Sequence, residues 1–231
     1  MSLYGDKVVV VTGTSRGLGK MIAGHFLANG ANVIGLSRSS SDIRHEHYVH
    51  QTADVTDTQS VHAAIGGLQQ MDVLINNAGQ GPSSYALLQD AAEAEASILT
   101  NFYGTFLVSR EACKIMYKNG GGRIVNIGSI LAAIEPVGAS IYAATKAAIE
   151  TFSGVLAKEV AGRGITVNTI GMASIETEMF AALGKKGEEY VKALPISRLA
   201  KPDDVYNVLD FFCSPRSSFI TGQVLYLGGI R

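Results

Sequence analysis

The sequence predicts an α/β fold in which one parallel sheet is covered by helices on both faces. Three observations lead there. Short apolar, β-branched runs alternate with longer stretches of helical spacing. The runs are continuously apolar, as strands buried on both sides must be. No Pro- or Ser-rich linker, composition shift or internal repeat divides the chain. Crossovers between parallel strands are nearly always right-handed, so the expected architecture is a single-domain, doubly wound parallel sheet of Rossmann type spanning residues 1–231.

The first expected strand, Val8–Thr12, is followed by a glycine turn and a helix over residues 17–29. Gly30 is suited to end that helix, because glycine tolerates a left-handed C′ position. Strands are expected at residues 32–36, at 48–53 (a weaker one) and at 71–76, with a helix at 57–68. Residues 86–117 read as two helices with a break near Asn101. Strands at 123–127, 165–170 and 223–227 complete the sheet, and helices at 142–160 and 203–212 cover it. Residues 173–199 interrupt the alternation, with Gly184, Gly187 and Pro195 among charged and apolar residues. They read as a lid over a site or as a plain surface excursion.

A chain of 231 residues, 47% apolar, 17% charged and with 26 glycines, is long enough to bury a core without staples. A formal net charge of −1 provides no field for polyanions, so no nucleic-acid partner is expected. Cys113 and Cys213 are too few for a disulfide framework and are not spaced as a metal site; they read as thiols in a reducing compartment. The apolar run at residues 8–11 has neither the basic flank nor the cleavage site of a signal peptide, and no apolar stretch spans a bilayer. A cytoplasmic location without membrane contact is expected.

The turn Gly13-Thr14-Ser15-Arg16-Gly17-Leu18-Gly19 lies between the first strand and first helix. Glycines there let backbone approach a pyrophosphate, and the helix start offers unpaired N–H groups and a positive dipole end. The spacing G-xxx-G-x-G is not G-x-G-x-x-G, and by itself it also suits a tight turn that binds nothing. The second strand ends Ser37-Arg38 without an acid. A carboxylate there would suit the ribose hydroxyl of NAD, an arginine the extra phosphate of NADP. Arg38, with Arg16 in reach of the same phosphate, predicts NADP(H) in preference to NAD(H).

Tyr142 and Lys146, at i and i+4, stand one turn apart on one helix face. Carbonyl reduction needs a proton delivered to the nascent alkoxide, and a tyrosine with a pKa near about 10 is reluctant to exchange it. A nearby ammonium favours the phenolate. Y-xxx-K alone is common on ordinary helix surfaces.

In company with other features the pattern changes meaning. Gly13, Gly17 and Gly19, then Asp54, Asn76-Asn77-Ala78-Gly79, Asn101 with Gly104, Ser129, Tyr142 and Lys146 follow in order, with Thr221-Gly222-Gln223 and Gly228-Gly229 near the end. Over residues 5–230 the chain resembles the classical short-chain dehydrogenase/reductase family, closest in pattern to reductases of 3-oxoacyl thioesters and other carbonyls.

The resemblance implies that Tyr142 is the general acid in reduction and the base in oxidation. Ser129 then orients the reacting oxygen, and Lys146 holds the nicotinamide ribose and depresses the tyrosine pKa. Asn101 helps hold a water that links Lys146 to solvent. Asp54 and Val55 meet the adenine, Asn77, Ala78 and Gly79 floor the cofactor ribose, and Thr177 contacts the carboxamide. Ser15 and Leu18 join the glycines in the cofactor turn, and Ser37 joins Arg38. Asn76 reads as structural, bonding backbone between strands.

One departure is Ile170-Gly171 where the family has Pro-Gly after its sixth strand, which leaves that turn less constrained. His45, His47 and His50 alternate, but no other ligand accompanies them, so no metal is expected. Lys185, Lys186 and Arg198 read as a solvated basic face or as a contact for an acidic carrier. The function expected is hydride transfer between NADP(H) and an alcohol/ketone carbon, with a small-molecule carbonyl or alcohol as partner. A homo-oligomer, dimer or tetramer, is implied by the family. The alternative is a dinucleotide-binding sensor or scaffold without turnover.

Overall fold

The computed structural model describes residues 3–81, 84–176, 180 and 184–229. Seven strands form one sheet in the order β3-β2-β1-β4-β5-β6-β7, with every neighbouring pair parallel. They are β1 (Val8–Thr12), β2 (Asn32–Ser37), β3 (Tyr48–Thr52), β4 (Val73–Asn76), β5 (Gly122–Ile127), β6 (Ile165–Gly171) and β7 (Val224–Tyr226). The chain is a single Rossmann-type domain, as the alternation predicts.

Alternate residues of each strand feed two cores. Val9 and Val11 of β1, Val73 and Ile75 of β4, and Val125 and Ile127 of β5 meet α1 (Gly17–Ala28) and α8 (Pro202–Cys213) on one face. Val10, Leu74 and Ile124 meet α2 (Thr58–Ile65), α4 (Gly104–Lys118) and α6 (Ser140–Val160) on the other. Burial on both faces is why these strands are continuously apolar. Asp57 caps α2 by accepting from the Gln59 amide at 2.9 Å, and Gly30 ends α1's connection at φ +88°.

The break expected near Asn101 is a turn of π-helix, Leu99–Tyr103, joining α3 (Ala91–Ile98) to α4. Among the described residues, two short α-helices have no counterpart in the sequence pattern: α5 (Leu131–Ile134), and α7 (Lys185–Ala193) inside the irregular stretch. The ends of that stretch are drawn together by a parallel bridge between Ile175 and Ala200. Among the described residues, no helix is long and apolar enough to cross a membrane.

The chain runs from β1 outward to β3 and then returns to place β4 on the other side of β1. That reversal opens a crevice beyond the carboxyl ends of β1 and β4, where open α/β sheets hold their ligands.

Candidate active site

The glycine turn leaves β1 with Gly13 at φ +77° and Gly17 at φ +56°, conformations that favour glycine. Gly19 has a separate reason: a Cβ there would run into the Gly13 carbonyl oxygen and the Asn77 side-chain amide. Thr12 ties the turn to the loop after β4, its hydroxyl accepting from the Asn77 and Ala78 amides at 2.9 Å each. The first turn of α1 carries no acidic residue and Arg16 makes no side-chain cap, so the helix start faces the crevice open to an anion.

One cavity of about 830 Å³ runs from this turn across the sheet edge. Gly13, Ser15, Arg16, Gly17, Leu18 and Gly19 line it, as do Ser37, Arg38, Asp54, Val55, Asn77, Ala78 and Gly79. So do Ser129, Tyr142 and Lys146. Asn101 sits behind the wall, with its Oδ1 3.1 Å and Lys146 Nζ 3.6 Å from where a Cβ on Gly79 would lie. Thr177 lies outside the described residues.

Near the end of β2, Asp54 is partly buried, which opposes ionisation. The Thr56 amide and hydroxyl bonds and the Arg38 charge outweigh that and hold the carboxyl below its usual range. Arg38 therefore stands close enough to Asp54 to act on its charge.

At the opposite end, Ser129, in the loop after β5, and Tyr142, in α6, line the same part of the cavity. The Ser129 hydroxyl also accepts from the Leu131 amide at 3.2 Å. Burial pushes the Tyr142 phenol up, and its hydrogen bond with Ser129 opposes that. Lys146 is buried, and burial alone brings its ammonium down to about 8. The Lys146 Nζ stands 5.8 Å from the Tyr142 ring centre and donates to the Ile127 main-chain oxygen at 2.7 Å.

The π turn aims the Asn101 side chain inward. Its amide donates to Thr145 Oγ1 and to the Gln80 carbonyl, each at 2.9 Å, while its carbonyl accepts from the Gln80 amide at 2.9 Å. Thr145 in turn donates to the Tyr142 main-chain oxygen at 2.8 Å. The loop after β4 and the helix carrying Tyr142 are thus joined through one buried asparagine. Asn101's own main-chain oxygen accepts from Thr105 at 2.7 Å.

Other expectations need adjustment. Asn76 bonds side chains, not backbone: its amide donates to Ser109 at 2.9 Å and to Asn126 at 2.8 Å. Ile170 and Gly171 lie inside β6, paired with Leu225 and Tyr226, so the turn that follows starts at Met172-Ala173, which lines the cavity. Arg198 is held in a two-pronged pair with Asp204 at 2.6 and 2.9 Å. His47 and His50 bond to Asn32 and Tyr48 respectively; among the described residues no group of three His, Cys, Asp or Glu side chains is placed to hold a metal. Reading the sequence missed Thr12, Gln80 and Thr145. A hydroxyl after a strand or before a lysine carries no spacing signal until the fold supplies its partner.

Residues 7–188 match the family model described as short chain dehydrogenase. A 3-oxoacyl-[acyl-carrier-protein] reductase of Vibrio cholerae is 34% identical over 99% of this chain and 98% of its own length. Among solved structures, an aldohexose dehydrogenase of Thermoplasma acidophilum superposes with a TM-score of 0.91 at 32% identity, covering 99% of this chain and 95% of that one. A 3-ketoacyl-(acyl-carrier-protein) reductase of Brucella melitensis complexed with NADH gives 0.90 at 28% identity, covering 98% of both chains. These relatives are named as reductases or dehydrogenases, and a binding role without turnover finds no support among them.

Proposed function

The chain belongs to the short-chain dehydrogenase family, and from that membership we propose an NADPH-dependent reductase of a 3-oxoacyl thioester or another small ketone. The observation that carries the reading is the half-buried Tyr142 phenol with Ser129 and Lys146 around it, in a cavity continuous with the glycine turn.

A nicotinamide dinucleotide, the cofactor of this family, fits the residues present. The backbone from Gly13 to Gly19 is kept bare where a Cβ on Gly19 would collide, and the start of α1 is open to phosphate. Gly13, Ser15, Arg16, Gly17, Leu18 and Gly19 would hold the pyrophosphate, Asp54 and Val55 the adenine, and Asn77, Ala78 and Gly79 the ribose side. Thr177 would meet the carboxamide. Ser37 and Arg38, with Arg16, favour the form carrying an additional phosphate, since guanidinium pairs with phosphate through a charge-assisted fork.

When bound, the nicotinamide supplies the hydride. Ser129 donates to the substrate oxygen as charge develops on it. Tyr142 gives that oxygen its proton in reduction and takes it back in oxidation. Lys146 would hold the ribose hydroxyls, and Asn101, which keeps the surrounding loop in place, would support a water leading from Lys146 to solvent. Within the stretch 173–199, read as a lid on the single domain, Ala173, Ser174, Ile175 and Phe180 line the cavity, and residues 177–179 and 181–183 lie outside the described residues.

We further infer a homo-oligomer, dimer or tetramer, in a cytoplasmic setting. Ile98 and Leu99 at the end of α3, Tyr103 and Val155 are exposed apolar side chains, and the thiols Cys113 and Cys213 are free.

The test is turnover of an acetoacetyl thioester and a panel of neutral ketones, followed by oxidation of NADPH and of NADH separately. Faster oxidation of NADPH with at least one carbonyl is expected. Equal use of both cofactors would remove the NADPH assignment, and no oxidation of either with any carbonyl would overturn the reductase.

A further inference from the structure

Gly35 stands in the middle of β2, where a glycine weakens a strand unless something needs the space. A Cβ at Gly35 would run into the Tyr48 phenol oxygen and the Thr14 hydroxyl. Tyr48 opens the edge strand β3 opposite Val33, two residues before Gly35 in register. Its ring packs against the α1-side core with Leu18 and Met21, and its hydroxyl crosses the bare glycine to donate to Thr14 Oγ1 at 3.0 Å.

Thr14 is fully buried within the glycine turn, and its carbonyl is held from another direction by the Ser41 hydroxyl at 3.2 Å. His50, on the same face of β3 as Tyr48, places Nδ1 3.3 Å from the phenol oxygen. With the phenol donating to Thr14, the fitting tautomer has His50 Nδ1–H donating to Tyr48. An edge strand thereby reaches beneath β2 to the loop that lines the cavity.

We propose that Tyr48 is a positioning residue for the cofactor: it fixes the height of the Gly13–Gly19 turn through Thr14, over the gap left by Gly35. The inference rests on reading that turn as the pyrophosphate cradle. Phosphate contacts made by backbone N–H groups depend on loop position, so a turn freed from its strut binds the cofactor less well while the distant Tyr142 site is untouched.

The test is a cycle of Tyr48→Phe, Thr14→Val and the double variant, with Thr14→Ser as the conservative control. NADPH dissociation constants, kcat at saturating NADPH, and cofactor-free melting temperatures are measured for each. Tyr48→Phe is expected to raise the dissociation constant about threefold to tenfold, the worth of one hydrogen bond, with kcat held and a small fall in melting temperature from the unpaired Thr14 hydroxyl. The double variant should lose no more than the worse single one, and Thr14→Ser should retain wild-type affinity. Unchanged NADPH affinity in Tyr48→Phe, additive losses in the double variant, or a fall in kcat at saturating NADPH would each overturn the proposal. A wild-type protein that binds neither NADPH nor NADH would instead defeat the cradle reading itself.

Discussion

The Lys146 ammonium donates to the Ile127 carbonyl at 2.7 Å while standing 5.8 Å from the centre of the Tyr142 ring. A buried cation with one neutral acceptor is costly, and burial brings its pKa down from 10.5 to about 8. At neutral pH both folded and unfolded chains carry the proton, so the whole cost is present. Between the folded and unfolded values the unfolded chain binds more protons, so stability rises with pH across that window. Lys146→Met should therefore stabilise the protein near neutral pH by roughly 1–2 kcal/mol after loss of the Ile127 bond, while abolishing most turnover. Denaturant unfolding checks this, and the gain should shrink as pH rises above about 8 toward 10. A less stable variant at neutral pH would mean that the ammonium is well solvated by its surroundings.

Tyr142 and Ser129 make a second pair whose separation by mutation is informative. Tyr142→Phe should lower turnover by about 10²–10⁴-fold, the usual worth of a positioned acid or base, with cofactor affinity nearly unchanged. Ser129→Ala removes the bond that opposes the upward push of burial on the phenol. The phenol pKa then rises further. Alcohol oxidation, which needs phenolate, should require higher pH, and carbonyl reduction, which needs phenol, should persist to higher pH. Matched pH–rate profiles in both directions decide it; profiles that move oppositely would exclude Tyr142 as the shared group.

At the other end of the cavity, Arg38 helps hold the Asp54 carboxyl down. Arg38→Asp would place two carboxylates near one another and repel an additional phosphate. The NADPH dissociation constant should rise by about 10- to 100-fold, on the scale of a lost charge-assisted bond, and that of NADH by about threefold or less. Parallel titrations with the two cofactors provide the check. Equal losses would assign Arg38 to the surface.

Much of this site is legible in sequence because its parts are local. The turn from Gly13 to Gly19 and the pair Tyr142/Lys146 each sit within one or two helical turns, where spacing alone sets geometry. β1, β2, β4, β5 and β6 are legible for the same reason, since each is a short, largely buried apolar run, while the edge strands β3 and β7 are only partly buried. What sequence hides is contact between segments far apart in the chain. Asn101 reads as a helix breaker, yet its bonds to Gln80 and Thr145 appear only when β4, the π turn and α6 converge. Gly35 reads as an ordinary strand glycine until Tyr48, one strand over, is seen to occupy its Cβ position. Lys146 shows the limit in energy: Y-xxx-K gives its direction, but neither its depth nor its bond to Ile127.

One turn beyond Lys146, Glu150 accepts from the Tyr226 hydroxyl at 2.7 Å, while its other oxygen is buried without a hydrogen-bond partner. Burial raises the Glu150 pKa and the Tyr226 bond opposes it; Tyr226 is itself pushed up to about 12, by burial first and Glu150 next. The Tyr226 ring also fills the space beside Gly171, so Tyr226→Phe keeps the packing and removes only the bond. Glu150 should then rise further, at a cost near neutral pH of about 1 kcal/mol for a part-buried acceptor that loses its bond. For an acid raised on folding, the native state binds more protons between the unfolded value, about 4.3, and its own. The cost of keeping it ionised is therefore full above the native value and fades as pH falls through that window. Denaturant unfolding of Tyr226→Phe should show the larger loss near neutral pH and a smaller one near pH about 4.5, with Glu150→Gln in the same chain recovering much of it. A loss independent of pH, or unrelieved by Glu150→Gln, would assign the effect to the ring's fit against Gly171 rather than to the carboxylate.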